Sequence, residues 1–132
     1  MDSIIATWTP RMLSVLRIMA GLLFMEHGTS KLLNFPPSES PHELTPLILV
    51  AGILELVGGA LVAAGLLTRI VAFVLSGEMA AAYFMAHAPQ NFFPLLNGGD
   101  AAILYCFVFL YLAFAGGGEW SLDRLLRPTA KT

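Results

Sequence analysis

Apolar residues along this chain gather in four blocks, each close to the roughly 20 residues a helix needs to cross bilayer hydrocarbon, without the one-sided spacing that gives a helix a wet face. The pattern predicts helices over about 12–33, 46–67, 70–88 and 100–115. Pro46 suits a first helical turn, Pro89 stops the third block, Asp100 is expected to cap the fourth, and Gly116, Gly117 and Gly118 end it. Beyond these glycines, about 119–127 reads as an interfacial helix with Trp120 at headgroup level, Ser121 as its cap and Leu122, Leu125 and Leu126 on one face. The predicted fold is all-α: a single-domain polytopic membrane protein, residues 1–132, built as a four-transmembrane-helix bundle.

Composition sharpens this picture. Of 132 residues, 57% are hydrophobic and 12% charged, against about 25% charged in an ordinary soluble domain. The net charge of −2 and the lack of a basic run with interleaved aromatics exclude a nucleic-acid partner. Four crossings put both termini on one side, with Arg11, Arg69, Arg124, Arg127 and Lys131, while the other side offers Lys31. The positive-inside rule then makes both termini cytoplasmic and the location the bacterial cytoplasmic (inner) membrane. The opening segment "MDSIIATWTPRM" lacks the build of a cleaved signal and is expected to remain as a cytosolic stretch. Cys106 is the one cysteine, which leaves no paired thiols and no thiolate metal site within the chain.

Small residues are expected where helices touch, because close backbone packing replaces the hydrophobic drive in lipid. Gly58, Gly59, Ala60, Ala63 and Ala64 in the second helix, with Ser76, Gly77, Ala80 and Ala81 in the third, predict close packing of that pair. On a helical wheel Arg17, Gly21, Phe24, Gly28 and Lys31 share one face of the first helix, with His27 at its flank and Glu26 opposite.

Charges inside such a bundle are costly and call for partners. Counting about 1.5 Å per residue, Glu55 and Glu78 lie at similar mid-membrane depth on neighbouring helices, and Arg17 enters from the first helix. The expected arrangement is a buried network in which Arg17 neutralises one glutamate while the other carries a proton, since two close carboxylates do not both ionise in low dielectric. Glu55, Glu78 and Arg17 are the candidate catalytic set; interhelical glue is the equally weighted alternative. A second polar cluster is expected at the outer mouth, where His27 and His87 reach one level near Glu26, Lys31, Asn97 and Asp100. Candidate ligand-binding residues are His27, Lys31, His87, Tyr83, Asn97 and Tyr105, with membrane anchoring as the plainer role for the histidines and lipid-facing bulk for the aromatics. No metal site is expected. A histidine pair can hold haem iron, but nothing else supports haem; a quinone is the cofactor class the polar set and aromatics suit. Cys106, inside the fourth helix, is expected to act as apolar filler.

Taken together, "HGTSKL" at 27–32, "GILELVGGALVAAGLLTR" at 52–69, "GEMAAAYFMAH" at 77–87, "FFPLLNGG" at 92–99 and "YCFVFLYLAFAGGGEWSLD" at 105–123 resemble the DoxX family of small bacterial membrane proteins. The resemblance covers Arg17 to Asp123 and implies a four-helix membrane bundle whose signature positions include Arg17, His27, Gly28, Lys31, Glu55, Arg69, Glu78, His87 and Asn97. It also implies a link to membrane redox systems: related subunits belong to a thiosulfate to quinone oxidoreductase, and others associate with thiol or oxidative-stress complexes.

The functional expectation is an integral membrane component or accessory subunit of a redox system, quinone-linked, and not a complete oxidoreductase alone, because the chain has no nucleotide-binding glycine fingerprint and no iron–sulfur cysteines. The alternatives are a non-enzymatic scaffold for partner proteins and a carrier of a small apolar molecule. Membrane lipid and a protein partner or second copy are the expected partners.

Overall fold

The computed structural model describes residues 1–40 and 43–127. Lys131, counted above among the cytoplasmic charges, lies outside them. Among the described residues the chain is all-α: α1 (Asp2–Leu33), α2 (Pro46–Ala64), α3 (Thr68–His87), the single turn α4 (Pro94–Asn97), α5 (Asp100–Ala115) and the single turn α6 (Leu122–Leu125). Helices α2 and α3 are long and apolar enough to cross a membrane, and α5 is a shorter apolar helix.

Local chemistry explains where the helices differ from the apolar pattern. Helix α1 begins at Asp2, well before Met12, because hydropathy marks a span and not a helix; the Thr7 and Thr9 hydroxyls donate to the carbonyls of Ser3 (2.8 Å) and Ile5 (2.7 Å) within it. It ends at Asn34, which takes the left-handed conformation and returns its N–H to Ser30. Thr45 caps α2 through its hydroxyl, with Pro46 in the first turn as expected. Helix α2 stops at Ala64, not near Leu67, because Gly65 turns left-handed (φ 73°). Leu67 adopts the same region (φ 52°), which costs a residue with a Cβ about 1–2 kcal/mol. The Asp123 carboxylate helps to hold it, accepting from the Leu67 N–H (2.7 Å) and the Thr68 N–H (2.9 Å) and so capping α3 from the other end of the sequence. Gly99, not Asp100, is the cap of α5; Asp100 sits in its first turn, where a carboxylate meets the positive end of the helix. Ser121 caps α6 by accepting from the Arg124 N–H, although the tail forms only this turn, less than the helix expected over 119–127.

The closest backbone contact is between α1 and α2. A Cβ on Gly21 would sit 2.6 Å from the Ala63 nitrogen and one on Gly28 2.5 Å from the Leu56 nitrogen, both against backbone. The second helix therefore turns Gly52 and Gly59 toward α1, while α3 meets it through Leu75 against Gly58. The expected small-residue seam between α2 and α3 is corrected accordingly; Gly77 has open space before it. Helix α3 packs instead along α5, where the Ser76 hydroxyl donates to the Cys106 carbonyl (2.8 Å). Phe24, Val62, Leu75, Phe109 and Leu112 fill the centre. Large apolar side chains such as Leu22, Phe73, Phe84, Leu104, Phe107 and Phe114 point outward. An exterior this apolar fits lipid, not water.

Candidate functional site

The α1 stripe faces inward as the wheel places it: Ser14, Arg17, Gly21, Phe24 and Gly28 are buried. Gly28 brings the two helix axes together, and one turn further Lys31 reaches back along α1. Its ammonium lies 2.8 Å from each oxygen of Glu55. The pair is well enclosed, with side-chain exposures of 18% for Lys31 and 4% for Glu55. Glu55 sits in a π-helical turn, Leu54–Gly58, that interrupts the α-helical ladder of α2. Such turns hold one extra residue and recur at functional sites.

Glu78 of α3 completes this site. Both of its carboxyl oxygens are buried and accept no hydrogen bond among the described residues. The charges of Glu55 and Lys31 both bear on it. Chemically, then, the bundle interior holds an anion–cation pair beside a third ionisable group with nothing to stabilise its charge directly.

Arg17 belongs elsewhere, which corrects the expected network. Fully buried (0% exposed), its guanidinium donates to the carbonyls of Gly117 (2.7 Å), Val62 (2.6 Å), Ala63 and Trp120. The cation thus closes the negative C-terminal end of α2 and the glycine loop after α5. Ser14 completes the lock, accepting from the Trp120 N–H (2.9 Å). Arg69 plays a similar part at the end of α5, donating to the carbonyls of Ala113 and Phe114.

The outer cluster divides into two. Asn97 is buried and central to one part: its amide donates to the Tyr83 hydroxyl (3.3 Å) and to the Asn91 carbonyl (2.9 Å), and its backbone carbonyl lies 2.9 Å from His87 Nδ1. Since a carbonyl only accepts, His87 carries its proton on Nδ1, and Tyr83 stacks on its ring at 6.4 Å. Tyr83 and His87 bound a second π-helical turn. His27 belongs to the other part, with Nδ1 on the Leu23 carbonyl (3.1 Å) of its own helix and its ring edge-on to Tyr105 at 5.7 Å. The two histidines share no hydrogen-bond partner, Lys31 has left the mouth for Glu55, and Glu26 and Asp100 are exposed. Among the described residues no three His, Cys, Asp or Glu side chains are grouped to hold a metal ion.

The Arg17 lock includes residues that sequence reasoning passed over, namely Ser14, Gly117 and, at its edge, Asp123. Ser14 precedes Arg17 by one turn on the same buried stripe, which was the available signal. Burial pushes the Asp123 carboxyl up, but hydrogen bonds from Thr68 and the Leu67 N–H, with the Arg127 charge nearby, hold it below the ordinary carboxylate range.

The chain belongs to the DoxX family, whose profile matches residues 12–88 and so takes in Arg17, Lys31, Glu55, Glu78 and His87. It is 45% identical over 122 residues to an uncharacterized protein of Haemophilus influenzae, covering 88% of this chain and 91% of that one. It is 26% identical over 133 residues to the uncharacterized membrane protein Rv3486 of Mycobacterium tuberculosis, covering 87% and 81%. No solved structure matches it. The chain is thus a DoxX-family membrane protein.

Proposed function

We propose that this chain is a multi-pass component of the bacterial cytoplasmic membrane, crossing four times with both termini inside, and that it serves as an accessory subunit of a quinone-linked redox system. Its own contribution is a proton site within the bundle. The observation that carries this reading is Glu78, whose two buried oxygens have no hydrogen-bond partner among the described residues, in the field of the closed Lys31–Glu55 pair. An unpaired carboxylate in such surroundings is strongly penalised while the neutral acid is tolerated. A group held this way takes a proton when a nearby negative charge develops and gives it up when that charge leaves. Lys31 fixes the Glu55 charge, so that Glu78 is the carboxyl left to change state.

A quinone, when bound, would accept electrons delivered by a partner subunit and require protons; Glu78 is the group here suited to pass one. Tyr83, His87 and Asn97, with His27 and Tyr105, are the proposed contacts toward the outer end. The test is mild extraction followed by native mass spectrometry for a bound quinone, with infrared spectra of the protonated carboxyl band. Glu78→Gln should remove that band and abolish quinone-linked reduction in membranes while leaving the fold intact. Unchanged reduction and an unchanged band would overturn the reading. A scaffold for partner proteins is the second reading, favoured by the open space before Gly77 on the exposed side of α3; a stoichiometric protein partner in a quinone-free extract would support it.

A further inference from the structure

The end of the molecule opposite the Tyr83–Asn97 cluster holds a different kind of site. A cavity of about 570 Å³ opens between the α2–α3 turn, the glycine loop and the tail, and Arg69, Arg124 and Arg127 all line it. This volume is in the range of small-ligand pockets. Asp123, the acid in its wall, has both oxygens engaged by the Leu67 and Thr68 N–H groups. Glu119 is shared between Arg11 at 3.1 Å and Arg124 at 3.8 Å. The lining is therefore cationic on balance, and its floor is backbone drawn tight by the Arg17 lock.

The cavity adjoins a second feature. Arg69 and Ile70 also belong to an outward groove of about 350 Å³ between α3 and α5, walled by Phe73, Val74, Ala113 and Phe114. Those walls lie on the lipid-facing exterior and are almost wholly apolar. Arg69 stands at the junction, its guanidinium fixed by the last carbonyls of α5. A cationic chamber at helix ends, joined through an anchored arginine to an apolar furrow running along the helices, has the two-part chemistry of an anionic glycerophospholipid.

We propose that this chain binds one anionic phospholipid from the leaflet on the side of its termini, with the phosphate headgroup held by Arg69, Arg124 and Arg127 and one acyl chain lying in the Phe73–Phe114 groove. The headgroup charge selects the lipid and the groove orients it. The site is independent of Glu78: it lies at the other end of α3 from the Tyr83–His87 turn and requires no redox chemistry.

The experiment titrates the intact chain in mild detergent with phosphatidylglycerol, phosphatidylcholine or inorganic phosphate, read by native mass spectrometry and thermal unfolding. One phosphatidylglycerol should be retained per chain in preference to phosphatidylcholine. Each exposed arginine near a headgroup is worth about fivefold in affinity, so Arg124→Gln with Arg127→Gln should weaken retention roughly 30-fold without changing the helical spectrum. Val74→Trp, which fills the groove from its rim, should weaken phosphatidylglycerol binding by itself. Equal retention of both lipids, or unchanged binding in the double variant, would overturn the headgroup assignment. Unchanged binding in Val74→Trp would overturn the acyl groove, and displacement of the lipid by inorganic phosphate would mark the cavity as a soluble-anion site.

Discussion

Removing the Lys31 ammonium, as in Lys31→Met, leaves the Glu55 carboxylate with 4% of its side chain exposed and its cation gone. Breaking a buried ion pair from one side typically costs about 3–5 kcal/mol. Lys31→Met should accordingly be destabilised by about 3–5 kcal/mol. Glu55→Gln is not its mirror image: Lys31 is 18% exposed, and a long ammonium chain can swing toward the interface, so about 1–2 kcal/mol is expected. The double variant Lys31→Met, Glu55→Leu should recover most of the loss, since an apolar pair of similar volume often replaces a buried ion pair at no cost. Unfolding in reconstituted bilayers, followed by tryptophan fluorescence, measures all three. A Lys31→Met loss below about 1 kcal/mol would refute the claim that the pair sits in a low dielectric.

Three further outcomes follow from the same packing. Gly28→Ala should destabilise by about 1–3 kcal/mol, because its Cβ would meet backbone at 2.5 Å and neither helix can yield without parting from the other; an unchanged melting temperature would contradict that contact. Arg17→Lys should lose about 3 kcal/mol despite keeping the charge, since one ammonium cannot reach the four carbonyls that the guanidinium spans; thermal unfolding in detergent decides it. Docking of the tail should depend on acid: Asp123, held below the ordinary carboxylate range, contributes fully above that range, and its contribution is lost as pH falls through its lowered value. Proteolysis near Trp120 should then rise in acid in the native chain and be high and pH-independent in Asp123→Asn.

How legible this was in the sequence differs by residue. The inward stripe of Arg17, Gly21, Phe24, Gly28 and Lys31 was readable because helical periodicity alone fixes which side chains share a face. Partner choice was not. Charge logic joined Arg17 to a glutamate, but a guanidinium is also satisfied by carbonyls left over at a helix end, and such acceptors leave no mark in the residue names. Lys31 was placed by its Cα at the mouth, while its four-carbon stem carries the charge a turn deeper. The separation of Asn97 and His87 from His27 came from loop geometry around Gly98, whose left-handed backbone (φ 69°) aims the Asn97 carbonyl at His87. Neither π-helical turn has a sequence signal of its own.

The Arg17 lock also sets an order of events during synthesis. The arginine emerges early, but two of its acceptors, Gly117 and Trp120, belong to the loop after α5. At about 5–20 residues per second, the intervening hundred or so residues take roughly 5–20 s to appear. For the first part of that interval the first helix carries an uncapped cation among headgroups or water lining the insertion machinery, and after α2 appears only the Val62 and Ala63 carbonyls can accept from it. The loop after α5 therefore completes the packing of α1, and nascent chains arrested before Gly117 and carrying Ser14→Cys, with Arg17 intact, should keep that position accessible to aqueous thiol reagents.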